Sequence, residues 1–177
     1  MFSRHTTSTE KYTIIMHNPS DTIKVPSDLV TTLSDNTELL ASLQPDAFDA
    51  VIVAGGDFPT HSVPLAVMEH ARMLVACDSA GEELVSRGFK PTAVVGDCDS
   101  MSAEFRKAYA DIIYKVKEQD YNDLTKATRF CTERGCRRIA YVGATGKRED
   151  HTLGNISLLD FYRRELHVDA LMLTDYG

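Results

Sequence analysis

From Phe48 onward, short hydrophobic runs alternate along the chain with longer stretches whose apolar positions recur at helical spacing. The hydrophobic runs are mostly β-branched or aliphatic and show little polar alternation, which is typical of strands covered on both faces. The predicted strands are Asp49–Ala54, Met73–Cys77, Ala93–Val95, Ile112–Val116, Ile139–Val142 and Ala170–Leu173. The predicted helices are Val63–Ala71, Ala80–Arg87, Ala103–Ala110, Asp123–Arg134 and His151–Arg164.

This alternation of strands and helices predicts an α/β protein of three layers, α/β/α, with a mainly parallel, Rossmann-like sheet. The helix Asp123–Arg134 has the clearest boundaries, because Asn122 is a natural N-cap and Gly135 a natural stop. We assign residues 48–177 to one nucleotide-binding catalytic domain. Residues 1–47 contain three prolines and are interpreted as an N-terminal extension packed on that domain, with a possible strand at Tyr12–Met16 and a short helix at Glu38–Leu43.

Acidic residues and glycines follow the first five predicted core strands. Ligands bind to parallel α/β sheets at the carboxyl ends of the strands. The segments at these strand ends are Gly55-Gly56-Asp57, Asp78, Gly96-Asp97-Cys98-Asp99-Ser100, Gln119-Asp120-Tyr121-Asn122-Asp123 and Gly143-Ala144-Thr145-Gly146-Lys147-Arg148-Glu149-Asp150. Because these ends meet at one edge of the sheet, the sequence predicts a single site there.

Asp97 and Asp99 are two positions apart, so in an extended segment both carboxylates would point the same way. A hard cation such as Mg²⁺ is the usual reason to tolerate such close like charges. The alternative is a turn or helix cap, for which this segment is also suited. Asp78, Asp120 and Asp123 are expected nearby and favour the metal.

Asp123 lies at the start of a predicted helix, where the helix dipole stabilises a carboxylate for purely structural reasons. Lys126, one turn later, could contact a phosphate or pair with Asp123 or Asp120. His151 could be a catalytic base, but helix capping or simple solvation is the favoured explanation.

The segment from Gly143 to Asp150 suits phosphate binding, since it carries two glycines and two cations just before a helix. It is not a Walker A motif, which would require glycine at position 141 and serine or threonine at 148. Gly55-Gly56 also lacks the dinucleotide-binding pattern.

The overall composition narrows the class of ligand. The net charge of −7 argues against a nucleic-acid partner, but it is compatible with a metal-bridged polyphosphate or a cationic small molecule. The chain contains no apolar run of about 20 residues and no signal-peptide core, so we expect a cytoplasmic protein without a membrane partner. The four cysteines lack zinc-type spacing and are interpreted as buried apolar residues.

Five blocks of residues, in order, resemble the thiamine pyrophosphokinase family. The blocks are Ala54–Pro59, Ala76–Gly81, Pro91–Ser100, Gln119–Lys126 and Gly143–Asn155. The resemblance implies that ATP and thiamine, with Mg²⁺ as the cofactor, react to give AMP and thiamine diphosphate in a homodimer.

The resemblance also implies roles for individual residues. Acidic metal and catalytic positions match Asp78, Asp97, Asp99 and Asp123, with Asp120 as a further catalytic candidate. Substrate contacts match Gln119, Asp120 and Asp150. Nucleotide contacts match Gly55, Gly56, Asp57, Asp78, Ser79, Lys126, Thr145, Gly146 and Arg148.

The chain departs from the family pattern at three positions. Ala54 and Glu82 stand where the family usually has asparagine, and Asn122 stands where it usually has threonine. The family's C-terminal β domain, which helps to enclose thiamine, is expected to be absent from this chain. Two other functions therefore stay open, namely a Mg²⁺-dependent phosphotransferase acting on another alcohol and a nucleotide-binding domain that senses or has lost catalysis.

Overall fold

The computed structural model describes residues 47–118 and 120–176. Within them, six parallel strands form one sheet in the order β4-β3-β2-β1-β5-β6. The strands are β1 (Ala50–Val53), β2 (Leu74–Cys77), β3 (Ala93–Gly96), β4 (Ile113–Lys115), β5 (Arg138–Val142) and β6 (Asp169–Leu173). The chain moves outward from β1 to β4 and then returns to β5 on the other side of β1. A topological switch point therefore lies between β1 and β5, where such sheets bind ligands.

Five helices in the described part of the chain cover the two faces of the sheet. They are α1 (Ser62–Glu69), α2 (Ala80–Ser86), α3 (Ala103–Ala108), α4 (Asp123–Glu133) and α5 (Glu149–Glu165). Side chains of β1 alternate between two cores, as the period of a strand requires. Ala50 and Ile52 pack with α4 and α5, whereas Val51 and Val53 pack with α1, α2 and α3. The predicted three-layer α/β/α fold with a Rossmann-like parallel sheet is confirmed.

The element boundaries agree with the sequence within one residue for strands and within two for helices. Asn122 caps α4 as predicted, since its Oδ1 accepts from Thr125 N–H at 2.9 Å. Gly135 ends α4 with φ of 86°, a left-handed conformation that favours glycine. All four cysteines are buried free thiols, as the sequence predicted.

Part of the domain assignment concerns residues that the structure does not describe. The proposed extension, including Tyr12–Met16 and Glu38–Leu43, lies outside the described residues except for Ala47. Among the described helices, none has both the length and the apolar character needed to cross a membrane.

Candidate functional site at the carboxyl edge of the sheet

Asp78 follows β2 directly and is the most enclosed of the predicted acidic residues, with 5% of its surface exposed. Its backbone is left-handed (φ 43°), and its Oδ1 accepts from Cys98 N–H at 3.0 Å. A Cβ atom at Gly96 would lie 2.8 Å from the Asp78 Cβ. The glycine at the end of β3 therefore makes room for the Asp78 side chain and lets the two strand ends approach each other.

Asp97 and Asp99 follow β3, but the segment between them is turned and not extended, contrary to the prediction from the sequence. Cys98 adopts φ of 65°, which turns the chain between the two carboxylates. Asp97 Oδ1 accepts from Asp99 N–H at 3.1 Å, and Asp99 is exposed and pairs with Lys115 of β4 at 3.5 Å. The turn, which was the alternative interpretation of this segment, is therefore present. If Asp97 and Asp99 bind one ion, they must do so from the two sides of this turn.

Asp123 begins α4 and is electrostatically linked to two other predicted site residues. Burial raises the pKa of its carboxyl, and the negative charges of Asp78 and Asp97 raise it further. The ammonium of Lys126, 3.1 Å from Asp123 Oδ1, offsets part of this effect. Lys126 is itself almost fully buried, whereas the Asp123 side chain is 36% exposed. Asp78 and Asp97, from two other strand ends, thus lie close enough to Asp123 to act on its ionisation.

These carboxylates do not form a closed metal cage. In residues 47–118 and 120–176, no group of three or more His, Cys, Asp or Glu side chains is arranged to hold an ion. Mg²⁺, however, is commonly bound through one or two carboxylates, several waters and substrate phosphates. The oxygen donors of Asp78, Asp97 and Asp123 fit that mode of binding. The metal assignment therefore stays a prediction.

The two glycine loops, after β1 and after β5, pack backbone against backbone at the switch point. Gly56 N–H donates to Gly143 O at 2.7 Å, and Asp57 N–H donates to Thr145 O at 2.8 Å. A side chain at Gly56 would collide with both of these carbonyl groups. Gly146, with φ of 79°, lies against the carboxylate of Asp57. The predicted nucleotide-binding glycines are thus brought together into one surface.

The charged residues at the end of the second glycine loop are exposed. Lys147 Nζ donates to Gly55 O at 3.2 Å, which adds another link between the loops. The Arg148 guanidinium forms a bidentate pair with Asp150, and this pair lowers the pKa of the Asp150 carboxyl. Ser79 is exposed just before α2 and makes no side-chain cap bond. Arg148, Asp150 and Ser79 are therefore open to solvent at this edge.

The remaining predicted residues lie after β4. Asp120 is exposed, and Gln119 lies outside the described residues. Tyr121 is covered by the guanidinium of Arg129, 3.8 Å from its ring centroid. The structure therefore brings Asp78, Asp97 and Asp123 together, whereas Asp120 is simply at the surface of the same edge.

Two polar residues without an assigned role also organise this edge. The carboxylate of Glu82 accepts from Ser102 N–H at the start of α3, which closes the loop that carries Asp97 and Asp99. Asn155 of α5 donates to Ala144 O at 2.8 Å. In the sequence, Glu82 is distinguished only as a departure from the family pattern and Asn155 only as part of a matching block. Neither contact could be read from the sequence, because each joins separate elements.

A cavity of about 260 Å³ is also present, but it lies at the opposite edge of the sheet. It is lined by residues near the starts of β2 and β3, including Leu74 and Thr92. None of the predicted site residues lines it. The candidate site is therefore defined by chemistry and topology at the carboxyl edge.

A parallel sheet with a switch point, paired glycine loops and converging carboxylates defines the class of α/β domains that bind a ligand at this edge. The family model for the thiamin pyrophosphokinase catalytic domain matches residues 65–169, which is more than half of the chain. This chain belongs to that family.

Individual relatives agree with the family match. "Thiamine pyrophosphokinase 3" of Oryza sativa subsp. japonica is 34% identical over 90 residues, which is 44% of this chain and 33% of that protein. The thiamine pyrophosphokinase of Bacillus subtilis (strain 168) is 33% identical over 115 residues, or 61% of this chain and 52% of the relative. A crystal structure of the Bacillus subtilis enzyme superposes with a TM-score of 0.57 at 28% identity, covering 70% of this chain and 59% of that one. The chain thus spans about a third to a half of these curated relatives' length.

Proposed function

We propose that this chain is the catalytic domain of a thiamine pyrophosphokinase, which transfers a diphosphate from Mg-ATP to the hydroxyl of thiamine. The products would be thiamine diphosphate and AMP. The observation that carries the proposal is the convergence of Asp78, Asp97 and Asp123 beside two packed glycine loops. In a chain of this family, that arrangement supports phosphate chemistry at the switch point.

The glycine loops would bind the nucleotide phosphates. Because glycines lack side chains, the backbone at these positions can approach a phosphate closely. Lys126 and Arg148 would supply positive charge, the first from inside the site and the second from its exposed rim. The proposed nucleotide contacts are Gly55, Gly56, Asp57, Asp78, Ser79, Lys126, Thr145, Gly146 and Arg148.

The acidic residues Asp78, Asp97, Asp99 and Asp123 would hold Mg²⁺. When bound, the ion would neutralise charge on the phosphates, and this is the chemistry that the carboxylates cannot supply themselves. Without a cation, the carboxylates repel ATP and one another. The overall charge of −7 is compatible with a cation that binds between the acidic protein and the phosphates.

In the transfer itself, the thiamine hydroxyl oxygen forms a bond to the β-phosphorus of ATP. The bond from that phosphorus to the oxygen bridging it to the α-phosphate breaks, and AMP leaves. A carboxylate among Asp97, Asp99, Asp120 and Asp123 accepts the hydroxyl proton. Most of the rate enhancement would come from in-line positioning.

Thiamine would lie against the acidic part of the edge, because its thiazolium ring is a cation. The proposed substrate contacts are Gln119, Asp120 and Asp150. Asp120 and Asp150 are exposed at this edge and are therefore accessible to a small molecule. We further propose that the protein acts as a homodimer in the cytoplasm.

The direct test is to incubate the purified protein with ATP, Mg²⁺ and thiamine and to separate the products by chromatography. We expect equal amounts of AMP and thiamine diphosphate, and no thiamine diphosphate when Mg²⁺ is chelated. An Asp97→Asn/Asp123→Asn variant, purified identically, controls for contaminating host enzyme. Asp111→Asn/Asp169→Asn removes the same charge at the amino edge and should stay active. ATP binding without AMP formation would instead indicate a nucleotide-binding domain, and AMP formation only with another alcohol a different phosphotransferase.

A further inference from the structure

Three consecutive carbonyl groups of the loop between β5 and α5 are held in alternating directions. Gly143 O and Thr145 O accept from backbone N–H groups of the β1 loop. Ala144 O, between them, accepts instead from Asn155 Nδ2 of α5 at 2.8 Å. Because a trans peptide holds its C=O and N–H on opposite sides, fixing Ala144 O also directs Thr145 N–H away from α5. Asn155 thus determines the orientation of the central peptide of this glycine loop.

Asn155 is joined in turn to the start of α4. Asn122 Nδ2 donates to Asn155 Oδ1 at 3.3 Å, and Asn122 Oδ1 accepts from Thr125 N–H and from the Thr125 hydroxyl. Since the Thr125 hydroxyl donates to Asn122, it accepts from the buried Tyr162 hydroxyl, 2.9 Å away. The result is a hydrogen-bonded relay of Tyr162, Thr125, Asn122, Asn155 and Ala144.

Both ends of the relay fix its direction. A carbonyl oxygen can only accept, so Asn155 must present its NH₂ group to Ala144 and its oxygen to Asn122. A backbone N–H can only donate, so Asn122 must present its oxygen to Thr125 and its NH₂ group to Asn155. Neither amide can flip without breaking at least one of these bonds. The relay therefore specifies one relative placement of α4 and the loop.

We infer that Asn122 and Asn155 are positioning residues that hold the peptide of Ala144 in register with Asp123 at the start of α4. The inference rests on the proposed function, in which the loop binds nucleotide phosphates and Asp123 belongs to the metal site. Asn122 is well suited to this role because one side chain both caps α4 and reaches α5. A threonine at position 122 would still cap the helix, but it has no amide to donate to Asn155.

Two uncharged substitutions separate capping from the relay. Asn122→Thr keeps the cap and removes the bond to Asn155, whereas Asn155→Leu removes both bonds that Asn155 makes at similar volume. We expect Asn122→Thr to raise the KM for Mg-ATP about fivefold, as loss of one typical hydrogen bond would, and Asn155→Leu to raise it at least as much. The KM for thiamine should change less than about twofold. The KM for Mg-ATP of the double variant should equal that of Asn155→Leu alone, because Asn155→Leu already removes the bond that Asn122→Thr would break.

Ser157→Ala is the matched control, since Ser157 is an exposed residue of α5 that bonds only within its own helix, to Gly154 O. It should leave both KM values and the melting temperature unchanged. Additive effects of the two substitutions, or equal rises in both KM values together with a lower melting temperature, would overturn the inference in favour of general destabilisation.

Hydrogen exchange of the ligand-free full chain provides a readout that does not depend on activity. Amide exchange in residues 143–148 should be faster in Asn155→Leu and Asn122→Thr than in the wild type and Ser157→Ala. If the wild type forms no thiamine diphosphate but this difference is present, the proposed function fails while the relay stands. Unchanged exchange in both variants would overturn the relay whatever the activity.

Discussion

The two edges of the sheet use aspartate in opposite ways. Asp49, at the amino edge before β1, accepts from the backbone N–H groups of Arg137 and Arg138 at 2.8 and 2.9 Å and pairs with the Arg138 guanidinium. Burial acts to raise the pKa of the Asp49 carboxyl, but these bonds hold it below its ordinary value. At the carboxyl edge, burial raises the pKa of Asp123, with further contributions from Asp78 and Asp97.

We propose from this difference that the amino edge is arranged for stability and the carboxyl edge for function. At the amino edge, every contact described for Asp49 favours the charged carboxylate. At the carboxyl edge, the carboxylates of Asp78 and Asp97 lie near Asp123 although their negative charges repel its charged form. Such an arrangement is typical of sites where a ligand or ion completes the electrostatics. Substitutions at the two edges should therefore separate activity from stability.

The largest expected effect is that of Asp97→Asn on activity. Loss of this carboxylate should lower the rate of thiamine diphosphate formation by about 100-fold or more, the effect of removing one preorganised charge contact at a reaction centre. The melting temperature should stay the same or rise slightly, because repulsion with Asp123 is relieved. Initial rates and thermal unfolding measure the two quantities. Asp111→Asn, at the amino edge, should change neither, and an unchanged rate in Asp97→Asn would remove this residue from the site.

The second prediction concerns the contact between the glycine loops. Gly56→Ala would place a methyl group against Thr145 O and Gly143 O, both backbone atoms that cannot move aside easily. We expect a loss of about 2 kcal/mol in the free energy of unfolding, together with weaker binding of Mg-ATP. Urea unfolding and calorimetric titration check these effects. Gly55→Ala is the matched control for stability, since nothing lies within 4 Å of its added Cβ; an equal loss in the free energy of unfolding in both variants would contradict this explanation.

Asp49→Asn should produce a smaller loss of stability without loss of activity. The variant replaces the charged acceptor of the Arg137 and Arg138 N–H groups with a neutral amide. The free energy of unfolding should therefore fall by about 1 kcal/mol at pH 7. Because the folded-state pKa is lowered, this stabilisation is present above the unfolded pKa of about 3.9 and disappears as the pH falls through the lower folded-state value. Urea unfolding of both proteins at pH 7 and in acid measures this. A difference that persists in strong acid would show that the charge is not its cause.

The smallest stability effect is expected for Asp99→Asn. Its side chain is 76% exposed and its pair with Lys115 is long, so the free energy of unfolding should change by less than about 0.5 kcal/mol. Activity should fall less than in Asp97→Asn, because Asp99 is turned toward β4 rather than grouped with Asp123. Parallel rate measurements decide the order, and an equal or larger loss in Asp99→Asn would mean that the ion draws this residue inward.

The pattern of the sequence was sufficient for the elements and for the placement of acidic residues and glycines at one edge of the sheet. Helix α4 illustrates why, because its cap at Asn122 and its stop at Gly135 depend on local backbone conformation. The direction of individual side chains was not predictable in the same way. Asp97 and Asp99 were expected to lie in an extended segment, but the left-handed backbone of Cys98 turns the chain between them. Nothing in the local sequence requires a non-glycine residue to adopt that conformation.

By itself, then, the sequence determined the alternation of strands and helices, the burial of the strands and the presence of acidic residues and glycines at strand ends. These features follow from hydrophobic periodicity and backbone preferences, which act over a few residues. Only the tertiary structure decided that β1 lies beside β5, that Gly56 meets Thr145, and that Asn155 reaches Ala144. Contacts of this kind join residues far apart in the chain, so they depend on strand order and on helix packing, which no local pattern encodes.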